Sequence, residues 1–102
     1  MQNNNKIQIE VNVKFLFGLE QGLPIENRQV TVKLSEQYTV KHLIEVLENM
    51  YPRLKENIRY GGNFVSYLNI VVNGCEVLPI HAGNREITTG DQVVLMYVGV
   101  GG

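Results

Sequence analysis

A chain of 102 residues is the length of one domain, and at this size roughly 65% of the surface exposed by the unfolded chain is buried on folding. An apolar share of 44% and a charged share of 19% supply a core and a hydrated surface, so disorder is not the default expectation. Nine basic residues against ten acidic ones leave a formal charge of -1 with no cluster of Lys or Arg, so no nucleic-acid partner is expected. From Ile7 to Phe17 apolar residues alternate with Gln8, Glu10, Asn12 and Lys14, the period of a half-buried strand. Gly18, Gly22 and Pro24 break the pattern before Val30, Val32 and Leu34 resume it, which predicts an antiparallel hairpin with a long exposed loop over Leu19 to Gln29.

The period then changes to that of a helix. Val40, Leu43, Ile44, Leu47 and Met50 fall on one face, with Lys41, His42, Glu45, Glu48 and Asn49 on the other. Thr39 or Ser35 is the candidate cap, and Pro52 ends the helix near Met50 or Tyr51. Arg53 to Tyr67 shows little period and reads as a loop with at most one short turn of helix. Leu68 to Asn73 is a short apolar run ending in Asn73-Gly74, a dipeptide suited to the positive φ angles of a tight hairpin. Glu76 to Ile80 is its weak return arm, kept to a sheet edge by Pro79, and Gly90-Asp91 turns into a final strand over Val93 to Val98. Strands with a single main helix give a two-layer α+β domain whose sheet is covered on one face.

The polar start Met1 to Asn5 lacks the apolar core of a secretory signal, and a single cysteine has no internal disulfide partner, so the cytoplasm is the expected compartment. No apolar stretch approaches the roughly 20 residues that span a bilayer, so no membrane association is expected. Cys75 reads as a small buried hydrophobe, with a reactive thiol as the alternative. His42 and His81 read as surface histidines, because no metal-ligand spacing links them, and no metal site is expected. Gly61-Gly62 is followed by no Lys-Ser or Lys-Thr pair and reads as a flexible loop, not a phosphate cradle. The last strand is apolar on both faces, Val93, Leu95 and Tyr97 alternating with Val94, Met96 and Val98. Either loops cover the second set, or it forms a docking patch.

The chain ends in Gly101-Gly102, a backbone without Cβ atoms that threads a slot closed to other residues. The ordered set of Val71-Val72-Asn73-Gly74, Gly90-Asp91-Gln92-Val93 and Gly101-Gly102 resembles the ubiquitin-like sulfur carriers. These comprise the small subunit of molybdopterin synthase (MoaD), the thiamine sulfur carrier (ThiS) and the ubiquitin-related modifier. The resemblance covers nearly the whole chain as an order of elements, with matching residues in its last third. It implies a β-grasp fold: a mixed sheet of four to five strands, the first and last parallel at its centre, with one main helix on one face. It makes residues 1–102 a single domain with a flexible tail at 99–102.

The resemblance also implies a mechanism. An activating enzyme (MoeB/ThiF-like) uses ATP to adenylate the carboxylate of Gly102, and a sulfurtransferase converts it to a thiocarboxylate. Gly101 is the slim approach to it. The chain itself binds no cofactor and is no enzyme. Molybdopterin or tungstopterin biosynthesis is the expected pathway, with a large synthase subunit (MoaE-like) as partner. A modifier joined through Gly102 to lysines, or a carrier for thiamine, tRNA or amino-acid thiolation, is the alternative. A passive docking module whose Gly-Gly is incidental is a third reading. Val94, Met96, Val98 and Val100 are the residues expected to meet the partner. The long loops favour the molybdopterin or modifier type over the thiamine type, and Tyr97-Val98-Gly99-Val100 lacks the proline often found before Gly-Gly in the molybdopterin type. An iron-sulfur β-grasp protein needs four cysteine ligands and is excluded.

Overall fold

The structure is a computed structural model that describes residues 7–98. The first strand, β1 (Ile9–Leu16), buries Val11, Val13 and Phe15 completely and turns Glu10 and Lys14 to solvent. It is shorter at both ends than its apolar alternation predicts. Ile7 and Phe17 are exposed, and Phe17 leaves the strand in the left-handed region at φ 56°. β1 pairs antiparallel with β2 (Gln29–Leu34). The connection between them is not wholly exposed, because Leu19 and Leu23 fold back into the core.

The first helix, α1 (Val40–Met50), begins and ends where the sequence places it. Thr39 is the cap, its Oγ1 accepting the amide of His42 at 3.2 Å. Val40, Leu43, Ile44 and Leu47 are fully buried against the sheet, while Met50, at the end of the same stripe, is exposed. The segment read as a loop is a second helix, α2 (Pro52–Ile58), followed by a hairpin of β3 (Arg59–Tyr60) and β4 (Asn63–Phe64). Pro52 both stops α1 and opens α2, because its missing amide costs nothing in the first turn of a helix. Leu54 and Ile58 are the buried side chains of α2, too few to make a visible period. Gly61 and Gly62, at φ 63° and 86°, form the turn of the small hairpin.

Glu48, on what reads as the polar face of α1, is buried by this addition. Arg59 donates from Nε to its Oε2 at 2.7 Å and from Nη2 to its Oε1 at 3.1 Å, and from Nη1 to the Gly62 carbonyl at 3.2 Å. The guanidinium also lies 3.9 Å from the centroid of the Phe64 ring. The charge is therefore paired, and the α2 segment is riveted to α1.

β5 (Leu68–Val72) turns through Asn73-Gly74 into β6 (Cys75–Val77), and Pro79–His81 then forms a single 3-10 turn in place of the rest of the return arm. Cys75 is exposed at this sheet edge, which corrects the buried reading. The last strand, β7 (Gln92–Tyr97), lies parallel to β1 and antiparallel to β5. Among the described residues the main sheet has the order β2-β1-β7-β5-β6, so first and last strands are central and the β-grasp arrangement is observed, with two helices where one main helix is expected.

The Asn73-Gly74 turn after β5 and the Gly90-Asp91 turn that leads into the last strand are hydrogen-bonded to each other. Asn73 Nδ2 donates to Asp91 Oδ1 at 3.0 Å, the Thr88 amide to Asp91 Oδ2 at 2.9 Å, and the Gln92 amide to Asn73 Oδ1 at 2.9 Å. The bond from Asn73, then that from Thr88, holds the Asp91 carboxyl below the ordinary carboxylate range. A carboxyl depressed in the folded state stabilises fully above its unfolded pKa of about 3.9, and that contribution is lost as pH falls through the lower folded value. Asp91→Asn is expected to lower the urea midpoint near neutral pH and to flatten its decline below about pH 4. An acid limb identical in parent and variant contradicts this role.

Candidate functional site

The helices cover the sheet face bearing Val93 and Leu95. Side chains of β7 alternate, so Val94, Met96 and Val98 point to the other face. Register extends that set sideways: Leu16, Met96 and Asn69 form one row across β1, β7 and β5, and Lys14, Val94, Val71 and Glu76 form the next. Val94 and Met96 are half-buried, and Val98 is 44% exposed. Among the described residues no loop seals this face, since none of the three side chains is fully buried.

Next to Val98 the face has a shallow groove of about 500 Å³ lined by Phe17, Asn69, Met96, Tyr97 and Val98. Phe17, 71% exposed, stands at its rim. Its left-handed backbone is followed by Gly18 at φ 104°, where a side chain is strained, and the pair turns β1 away from the sheet. Asn69 Oδ1 is buried here without a hydrogen-bond partner among the described residues. Sequence reasoning missed Phe17, Leu16, Asn69 and Val71 as parts of this face. The alternation makes Phe17 only the end of the strand pattern, and the others depend on register between strands distant in sequence.

Val98 is the last described residue, so Val100, Gly101 and Gly102, and the flexibility expected of 99–102, lie outside the described residues. The root of the tail is nonetheless placed: β7 ends at the groove, and the Val98 amide donates to the Tyr67 carbonyl at 2.7 Å.

The other candidates do not assemble into a site. His42 lies on α1 with Nδ1 3.5 Å from Glu45 Oε1, while His81 is exposed in the 3-10 turn. His81 lines a surface depression with Cys75 and Arg85 at the β6 edge. No group of three or more His, Cys, Asp or Glu among the described residues has the arrangement of a metal site. No described helix is long and apolar enough to cross a membrane.

No family model matches the sequence, and no curated protein does. Solved structures do match. Small archaeal modifier protein 1 from H. volcanii superposes with a TM-score of 0.75 at 20% identity, over 89% of this chain and 99% of that one. A protein from Pyrococcus furiosus described as molybdopterin converting factor, subunit 1, gives a TM-score of 0.70 at 22% identity, over 89% and 99%. The complex of subunits 1 and 2 of the molybdopterin-converting factor from Helicobacter pylori contains a chain with a TM-score of 0.55 at 18% identity, over 92% and 100%. The strand order, the parallel central pair and these superpositions together establish that the chain has the β-grasp, ubiquitin-like fold of these modifier and molybdopterin-converting proteins.

Proposed function

We propose that the protein is a sulfur carrier whose C-terminal Gly102 is activated as an adenylate and converted to a thiocarboxylate, serving molybdopterin or tungstopterin biosynthesis. The observation that carries the reading is positional. The terminal Gly101-Gly102 follows by a few residues a central strand whose uncovered side is apolar. A partner seated on Val94, Met96 and Val98, with Phe17 as an aromatic anchor at the rim, has the chain end within immediate reach. Val100, which follows in the sequence, is proposed as a further partner contact. The partners are an adenylating enzyme, which supplies the ATP site, a sulfurtransferase, and a large synthase subunit.

The chemistry asks little of the carrier's side chains. The Gly102 carboxylate attacks the α-phosphorus of ATP and expels pyrophosphate, and a sulfur nucleophile at the oxidation level of sulfide then attacks the acyl carbon and expels AMP. Glycine at both positions leaves the acyl carbon open and the approach narrow. In this reading the chain is a substrate, not an enzyme, and the cytoplasm is its compartment.

The solved relatives include a protein named as a modifier beside those named as converting-factor subunits, which supports a second reading in which Gly102 is joined to lysines. One experiment separates them. The purified chain is incubated with its activating enzyme, ATP and sulfide, and its intact mass is followed alongside gels of cell extract. A carrier gains the mass of an oxygen-to-sulfur exchange on the free chain. Ladders of conjugates without that gain support the modifier, and normal loading of a chain lacking Gly102 rules out both.

A further inference from the structure

The open sheet face carries a row with one charge of each sign at its two ends. Strand pairing sets Lys14 of β1, Val94 of β7, Val71 of β5 and Glu76 of β6 side by side, so all four side chains point the same way. Three inter-strand spacings separate the ends by about 14 Å. Lys14 and Glu76 are exposed, and neither belongs to an ion pair among the described residues. Val94 and Val71, between them, are half-buried.

A row of cation, two valines and anion is complementary to itself when reversed. A two-fold axis that runs along the strands, in the plane between two copies and midway between β7 and β5, stacks the sheets face to face. It exchanges β7 with β5 and β1 with β6. Val94 then meets Val71 of the second copy and Lys14 meets Glu76 of the second copy, each contact occurring twice. An axis along the row instead stacks Lys14 on Lys14 and Glu76 on Glu76, so charge selects the first arrangement. Twisted sheets pack with strands crossing at about 30° and backbones about 10 Å apart, a gap that long Lys and Glu side chains bridge at the rim. The formal charge of -1 leaves little long-range repulsion between copies.

We propose that the open sheet face is a self-association surface on which a second copy of the chain docks about this two-fold axis, Lys14 against Glu76. The inference stands on the sheet face alone and does not need the carrier reading. Area sets its strength. The row is about 14 Å long and the run from Gln92 to Val98 about 20 Å, roughly 300 Å² of contact against the about 800 Å² per partner of a stable complex. The dimer is therefore transient, with a Kd of about 0.1–1 mM. It covers Val94 and, in the next row, Met96, so a copy within it is closed to any other partner that needs those side chains. Self-association thus shields the apolar face while no other partner is bound.

The test is sedimentation velocity of the purified chain from about 10 μM to about 2 mM, a range that brackets the expected Kd. Lys14→Glu alone and Glu76→Lys alone each oppose like charges at both contacts, and each is expected to raise Kd about 10-fold or more. Mixed in equal amounts, the two variants are expected to associate about as well as the parent, because every contact between them again joins Lys to Glu. That rescue also shows both variants to be folded. At 1 M salt, where the screening length falls to about 3 Å, parent and single variants are expected to converge. Val94→Asp is expected to abolish association in every combination. A parent that stays monomeric throughout overturns the proposal and leaves the face to a partner of another sequence. Single variants that each associate like the parent, or a mixture of folded variants that does not associate, overturn the two-fold arrangement. Neither result bears on sulfur loading, which is read separately by mass.

Discussion

Gly101→Val is expected to reduce adenylation and sulfur loading by about 100-fold or more, the scale at which small misplacements of reacting groups are felt. Valine adds a branched Cβ where a narrow slot admits backbone alone, and it closes the positive φ angles open to glycine. Glycine contributes no side chain to any core, so the unfolding free energy is expected to match the parent within about 0.5 kcal/mol. Stability and loading therefore separate cleanly. A Gly101→Val chain that loads like the parent makes the Gly-Gly incidental and favours a passive docking module that binds through the open sheet face.

Leu47→Ala is expected to cost about 2–5 kcal/mol of stability, composed of lost transfer energy and the cavity left behind. Leu47 is fully buried with Val40, Leu43 and Ile44, so neighbours fixed on both sides have little freedom to fill the space. In a domain of this size that loss lowers Tm by roughly 10–30 °C. Met50→Ala is the internal comparison: it lies on the same stripe but is exposed, and it is expected to change stability by no more than about 0.5 kcal/mol. If Leu47→Ala is as mild as Met50→Ala, the packing of α1 on the sheet is wrong.

The contrast between Leu47 and Met50 shows what periodicity conveys. The 3.6-residue repeat identifies α1 and its bounds because Thr39 and Pro52 act locally, through a side-chain bond to a nearby amide and through a missing one. It does not say that the stripe outruns the sheet at Met50. The same limit explains α2, whose buried Leu54 and Ile58 are too few to establish a repeat. It also explains Glu48, polar by position on the helix and buried only because Arg59 arrives from beyond a turn. Cys75 fails in the opposite sense, since its apolar character suggests burial and its place on a three-residue edge strand leaves it exposed.

The parallel pairing of β1 with β7 came from the resemblance, not from the alternation, because period 2 tells which face a residue takes and nothing of its neighbour strand. The sequence by itself determined the alternating strands, the amphipathic helix with its cap and stop, the Asn73-Gly74 and Gly90-Asp91 turns, and the Gly-Gly end. Each depends on torsions and contacts within a few residues. Only the tertiary structure decided that the two turns are bonded through Asn73 and Asp91, that Leu16, Met96 and Asn69 share an uncovered row, and that Tyr97 reaches Asn57 across 40 positions. A hydrogen bond or shared row between residues so far apart leaves no local repeat or composition to read. Its partners meet only once burial of the core has fixed the strand register.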